Sequence, residues 1–333
     1  MKIIYLGSGE FGIECLNALA GSSHSLQLIV TQPAHRAGRG RKPRPTPVAQ
    51  WAARATRPKP WTGSEPPSAG YSVPFIEVED INTPQVIAEI AAQKPDLMVV
   101  IAFGQKIGNE LIKSPPKGAI NVHASLLPKY RGAAPINWAI INGESQTGIS
   151  IIALAEKMDA GRILAQTRTD IGVDETAGQL HDRLAQIAAP LLLKTIEQIE
   201  DGTAVYTEQD HSRATLAPKL RKSDGFLDFC EPAELLARKI RGFWPWPGAQ
   251  AVYLSRKTAK SLRVTIAMAE LVKSSNPAGL PPGTLDENLN IVCGQDSLKI
   301  TKIKPSGRAL MGFKDFVNGQ ATQPGDLFMK IND

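Results

Sequence analysis

The sequence predicts an α/β protein, an open and largely parallel sheet flanked by helices, followed by a small β-barrel or sandwich. Strand-like and helix-like patterns alternate through the first 170 residues, the rhythm of β-α-β units. A glycine-rich turn, LGSGEFG at 6–12, follows the first apolar run. Beyond a polar, basic stretch at 202–223, short β-branched runs are separated by Gly, Pro and Asn. With 333 residues, 42% of them hydrophobic and 21% charged, the chain has the length and composition for two domains. Their expected bounds are 1–205, a basic linker at 206–222, and 223–333.

The elements follow in order. Strands are expected at 3–6, 26–30 and 97–102, with helices near 12–20 and 84–92 between them. A strand at 119–123, a helix near 134–142 and a strand at 148–154 come next. From 177 to 201 apolar residues recur at three- and four-residue spacing, predicting a long amphipathic helix that closes the sheet domain. Strands at 251–254, 263–267, 289–293 and 298–303 would form the barrel. Residues 54–72, rich in Pro, Ser and Gly, read as a surface loop.

Charge is unevenly spread. Residues 1–210 carry 20 Lys+Arg against 21 Asp+Glu, whereas residues 211–333 carry 18 against 11. Within the neutral part, 34–64 holds Arg36, Arg39, Arg41, Lys42, Arg44, Arg54, Arg57 and Lys59 with no acidic residue. Two separate basic surfaces suit a polyanionic partner such as nucleic acid. Three widely spaced cysteines, Cys15, Cys230 and Cys293, argue against a disulfide framework or a zinc site. No apolar run has the length of a membrane span or the form of a secretory signal, so the expected location is the cytoplasm.

LGSGEFG matches G-x-G-x-x-G between a strand and a helix, the dinucleotide-binding pattern. An NAD site also needs an acidic residue at the tip of the second strand to hold the ribose. That tip reads Thr31-Gln32-Pro33, and Glu10 inside the loop would oppose a phosphate. The glycines are therefore assigned to a tight turn, with NAD kept as the second reading.

A richer cluster lies at 118–135, GAINVHASLLPKYRGAAP. On a strand, Asn121 and His123 point to the same side, near the carboxyl end where open α/β sheets bind ligands. An amide beside an imidazole can stabilise an oxyanion. Asp159, in a glycine-containing loop after the next strand, can orient the imidazole. The three together suit acyl transfer.

Asn121-Val122-His123, Ser125-Leu126-Leu127-Pro128, Arg131-Gly132-Ala133-Ala134-Pro135, Thr147-Gly148 and Asp159-x-Gly161 resemble, in order and spacing, the formyltransferases that use 10-formyltetrahydrofolate. Thr31-Gln32-Pro33, Ala37-Gly38-Arg39-Gly40, Pro45-x-Pro47-Val48, Ala102-Phe103-Gly104, Ala217-x-Lys219-Leu220 and Arg241-x-Phe243-x-Pro245-Trp246-Pro247 narrow the resemblance to the branch acting on initiator methionyl-tRNA. It covers nearly the whole chain. It implies a Rossmann-like formyltransferase domain followed by a basic OB-like β-barrel domain. A monomer is expected.

By position, the resemblance implies a catalytic trio of Asn121, His123 and Asp159. It implies folate contacts at Ser125, Leu126, Leu127 and Pro128, and a pterin-lining segment at Phe103, Gly104, Gln105, Lys106 and Ile107. The basic loop (Arg36, Arg39, Arg41, Lys42, Arg44) and the linker cations (Lys219, Arg221, Lys222) are implied to meet tRNA. The formyl donor would leave as tetrahydrofolate, without metal or NAD. Two features depart from the family pattern: the first loop is richer in glycine than the usual G-T/S-P-x-F, and 54–72 is longer. Relatives acting on glycinamide ribonucleotide, on sugar nucleotides or hydrolysing the folate share the trio but need no basic loop with a basic barrel. A non-enzymatic RNA-binding module would need no trio.

Overall fold

The computed structural model describes residues 1–37, 42–55, 73–273 and 279–332. In chain order the elements are β1 Lys2–Gly7, α1 Ile13–Ala20, β2 Ser25–Thr31, β3 His35–Ala37, β4 Lys42–Arg44, α2 Pro47–Ala55, β5 Phe75–Glu77, α3 Pro84–Ala92, β6 Leu97–Ile101, α4 Asn109–Lys113, β7 Ala119–His123 and β8 Arg131–Gly132. Then come α5 Pro135–Ile141, β9 Gln146–Ala153, β10 Ile163–Asp170, α6 Ala177–Glu200, β11 Leu216–Ala217, α7 Ala233–Phe243, β12 Ala249–Leu254, β13 Ser261–Val272, β14 Ile291–Val292, β15 Ser297–Pro305, β16 Met311–Gly312, α8 Phe313–Gln320 and β17 Leu327–Met329. The chain divides into two compact units. The first comprises 1–132, 147–169 and 181–216; the second comprises 133–146, 170–180 and 217–333.

The first unit carries the expected α/β sheet, in the order β10-β9-β7-β6-β1-β2-β5. β5, β2, β1, β6 and β7 run parallel, and β9 turns antiparallel to β7, pairing Asn121 with Ile152 and His123 with Ser150. Buried strands read as continuous apolar runs, and Leu97–Ile101 is wholly buried. Ile4, Leu6, Val30, Met98 and Val100 project from one face onto Ile90, Leu111 and Ile112. Helix α6 buries Leu184, Ala188, Leu192 and Ile196, one residue per turn along a single stripe.

Several elements escape the sequence reading. Strands β3 and β4 pair at 35–37 and 42–44, and helix α2 covers Pro47–Ala55, so Arg54 lies in the last turn of a helix rather than opening a loop. Residues 56–72 lie outside the described residues. β10 extends the sheet: Ala153 N–H bonds Arg162 O and Ile171 N–H bonds Ser145 O at the two ends of an antiparallel β9/β10 pair.

In the second unit a helix, α7, precedes the expected strands. α7 buries Ala233, Leu236, Ile240 and Phe243 at helical spacing, and it packs on α5. The barrel sheet runs β14-β15-β13-β12-β17, with β16 on β15. Bridges Thr284–Leu327 and Leu285–Ile291 carry β17 round to β14, so the sheet nearly closes. The strand expected at 289–293 begins only at Ile291, because the Asp286 carboxylate accepts the N–H groups of Asn288 and Asn290 and holds the preceding residues in a turn. Inside, Tyr253 stacks edge-on to Phe316 with ring centroids 5.1 Å apart. Its hydroxyl donates to Asp326 at 2.6 Å, and burial pushes it up to about 12. No helix among the described residues is long and apolar enough to cross a membrane.

Candidate active site

The loop after β1 shows why its glycines are there. Tyr5 is fully buried and its ring lies beneath the turn, where its hydroxyl donates to Gly12 O at 3.0 Å. A Cβ on Gly7 would stand 2.6 Å from that ring, and one on Gly12 would overlap the Tyr5 hydroxyl. Gly9 packs on Ala102, whose carbonyl accepts the N–H groups of Ser8 and Gly9. At the tip of β2, where an NAD site would place an acid, Gln32 donates to Phe103 O at 2.9 Å and pairs with His35 Nε2 at 2.9 Å. Thr31 meets Thr46 at 2.7 Å. The tip braces neighbouring loops.

At the carboxyl end of β7, His123 is 6% exposed. Its Nε2 lies 2.9 Å from Tyr130 O. A carbonyl only accepts, so Nε2 carries the hydrogen, and Nδ1 is the nitrogen left to gain or lose a proton. Nδ1 faces Asp159 Oδ2 at 3.7 Å, and that oxygen accepts Gly132 N–H at 2.8 Å. Asp159 Oδ1 has no protein hydrogen bond among the described residues, nor does the half-buried amide of Asn121. Asp159 sits at φ +52, a left-handed conformation uncommon outside glycine. The next turn needs Gly161, where a Cβ would strike Ala153 O.

The segment 125–128 follows directly. Ser125 is fully buried and its hydroxyl donates to Lys129 O at 2.7 Å, while Ser150 donates to Ser125 O and accepts Leu127 N–H. Gln166 holds Leu127 O at 3.0 Å, and Leu127–Pro128 is cis. The Ser125 side chain therefore shapes the loop, and Leu126 and Pro128 keep partly exposed surface. At the end of β6, Phe103 and Ile107 anchor in the core beneath the sheet. Gly104 takes φ +84, and Gln105 ties the segment to Val78 O and Ile81 N–H. Phe103 O accepts from Gln32 and Lys106 O from Asn82, so side chains of neighbouring loops fix this segment's backbone.

Arg131, Gln209, Ser150 and Gln166 frame this corner, and the sequence reading gave none of them a role. Gln209 lies in a polar stretch without periodicity, so nothing in a single sequence marks it. Of the basic residues, Arg44, Lys219, Arg221 and Lys222 are exposed. Arg36 and Lys42 belong to the β3/β4 hairpin; Arg39 and Arg41 lie outside the described residues. Arg44 is in the first unit and the other three in the second. No cluster of three metal-binding side chains occurs among the described residues.

The family profile described as formyl transferase matches residues 1–196, and that described as formyl transferase, C-terminal domain, matches 219–321. The methionyl-tRNA formyltransferase of Alkaliphilus oremlandii is 37% identical over 98% of this chain and 99% of its own length. That of Pseudomonas syringae pv. syringae is 36% identical over 96% of this chain and 95% of its own. Among solved structures, the sugar 3N-formyl transferase WlaRD superposes with a TM-score of 0.60 at 14% identity, covering 93% of this chain and 99% of that one. HypX from Aquifex aeolicus in complex with tetrahydrofolic acid gives 0.57 at 16% identity, over 95% of this chain and 47% of that one. These two share the fold.

Proposed function

The chain belongs to the methionyl-tRNA formyltransferase family, and from that premise we propose how its geometry performs the transfer. The enzyme moves a formyl group from a folate donor to the free α-amine of methionine on initiator methionyl-tRNA. The donor is 10-formyltetrahydrofolate, which leaves as tetrahydrofolate. The observation that carries the reading is the His123–Asp159 pair at the end of β7, 3.7 Å apart, beside the unpartnered amide of Asn121.

Asn121 donates a hydrogen bond to the formyl oxygen as it gains charge, and the Nδ1–H of protonated His123 adds a second donor with a positive charge. Because Tyr130 O holds Nε2–H, the ring cannot swing its proton away. Asp159 stabilises the imidazolium through Oδ2 and takes the proton from the attacking amine at Oδ1, directly or through one water. The amine nitrogen bonds to the formyl carbon to give a tetrahedral adduct; its collapse breaks the bond to the folate nitrogen, which takes up the proton that Asp159 removed from the amine. An amide, an imidazole and a carboxylate within one small corner fit a carbonyl and an amine. Phe103, Gly104, Gln105, Lys106 and Ile107 present backbone to the pterin, and Leu126 and Pro128 cover its edge.

Residues 1–205 act as the catalytic domain, 223–333 as the tRNA-binding barrel, and 206–222 joins them. Arg36, Arg39, Arg41, Lys42 and Arg44 approach the acceptor end, while Lys219, Arg221 and Lys222 contact phosphates, which position the tRNA and make affinity salt-dependent. On the barrel, Arg263, Lys302 and Lys304 are exposed on adjacent strands and extend the basic surface. The enzyme works as a monomer in the cytoplasm. The deciding assay is transfer of labelled formyl to charged initiator tRNA, with uncharged and elongator tRNA as controls. Labelling of elongator methionyl-tRNA at the same rate, or none of initiator, refutes the assignment.

A further inference from the structure

Gln209 is 5% exposed, and every polar atom of its side chain is engaged. Its Nε2 donates to Asp159 O at 2.9 Å and to Gly161 O at 2.7 Å. One amide thus grips both ends of the turn that carries the catalytic carboxylate. Its Oε1 accepts from Arg131 Nε at 3.2 Å and Nη2 at 2.6 Å. Arg131 is itself 5% exposed and precedes Gly132, whose N–H holds Asp159 Oδ2. The contacts close a ring: Gly132 N–H to the carboxylate, Arg131 to Gln209, and Gln209 back to the Asp159 carbonyl.

The ring answers two physical problems. A residue at φ +52 persists only where its surroundings over-determine it, and the amide fixes the carbonyls on either side of Ala160. A buried guanidinium needs acceptors for its donors; Arg131 finds them in Gln209 and in His211 Nδ1 at 2.9 Å. The segment after α6 is sewn to the same loop: Ile163 and Thr207 exchange both backbone hydrogen bonds at 2.8 Å, and Thr215 O accepts Arg131 N–H. Its first half is thereby part of the catalytic scaffold.

We propose that Gln209, seated on Arg131, is a positioning residue that sets the Asp159 carboxylate against His123 for formyl transfer. The inference rests on the catalytic reading of Asp159, and the test separates the two. Gln209→Glu keeps the acceptor for Arg131, now as a charge pair, and removes both donors to the Asp159 turn. Gln209→Met removes donors and acceptor together while keeping the shape. Misplacing a catalytic group by about an ångström costs on the order of 10²-fold. In single-turnover transfer from 10-formyltetrahydrofolate to initiator methionyl-tRNA, Q209E should therefore slow the step by roughly 10- to 100-fold, with KM for both substrates unchanged. Q209M should slow it as much while lowering the melting temperature. The double variant D159N/Q209E should be no slower than D159N alone, within about 2-fold, because both remove one function. Wild-type rate in both Gln209 variants beside a slow D159N, or losses that multiply in the double variant, overturns the positioning role alone. Wild-type rate in D159N overturns the catalytic reading, and this inference with it.

Discussion

The corner at the end of β7 and the basic surfaces are built on opposite principles. His123, Asp159, Arg131 and Gln209 are nearly enclosed, and each is held by hydrogen bonds of 2.6 to 3.2 Å. Arg44, Lys219, Arg221 and Lys222 are exposed, spread over two units. In the corner a buried donor that loses its acceptor costs its full desolvation penalty. At the surface each cation is solvated with or without tRNA, and its contribution is one term in a sum that salt screens. The corner should fail abruptly and independently of salt. The surface should fail gradually and in proportion to charge.

The largest effect expected is in the corner. His123→Ala and Asp159→Asn should each lower the single-turnover rate by about 10²- to 10⁴-fold, the usual worth of a positioned acid or base, while tRNA affinity stays within a few-fold. A comparable loss of tRNA binding in a filter assay would erase the contrast.

Next comes the buried turn of the same unit. Gly12→Ala forces a methyl onto the Tyr5 hydroxyl and should destabilise by about 1–3 kcal/mol, as overpacking does. Adding Tyr5→Phe removes the obstructing oxygen, so the pair should melt higher than the sum of the two single losses requires. Strict additivity would show that the glycine answers to something other than Tyr5.

A smaller change belongs to the surface. Replacing Lys219, Arg221 and Lys222 with Ala should weaken tRNA affinity by roughly 10-fold at low salt and flatten the log–log salt slope by about 2 to 3 units, near 0.9 per lost phosphate contact. The single-turnover rate at saturating tRNA should hold. An unchanged slope would remove these cations from the tRNA backbone.

Smallest at neutral pH is the alkaline limit set by buried acids in both units. Burial pushes the Cys15 and Cys293 thiols from 9.0 up to about 12. The folded protein therefore holds these protons where the unfolded chain releases them. Their contribution is complete below about pH 9, and stability falls as pH rises from there toward 12. A melting temperature that rose between pH 9 and 11 would contradict the burial of both thiols.

Much of the corner was legible because its chemistry is local. Asn121 and His123 share a strand face by the alternation of β-structure alone, and β7 runs from Ala119 to His123 as the apolar pattern requires. The long helix at 177–201 also appears, ending at Glu200. The hairpin β3/β4 escaped notice because its basic residues carry no alternation. The glycine motif pointed to a nucleotide because spacing records where small residues stand, while the reason for them, the Tyr5 ring, lies on the preceding strand facing the turn.

The sequence by itself determined the alternation of the main strands and helices of the first sheet, the residue types at the end of β7 and the uneven charge, since periodicity, side-chain chemistry and net charge are carried by neighbours in the chain. Only the tertiary structure decided which nitrogen of His123 is held by a carbonyl, which oxygen of Asp159 is held and that Gln209 holds its turn. Those choices depend on contacts across 7, 27 and 50 residues of chain, fixed when folding buries these donors and each must find its acceptor.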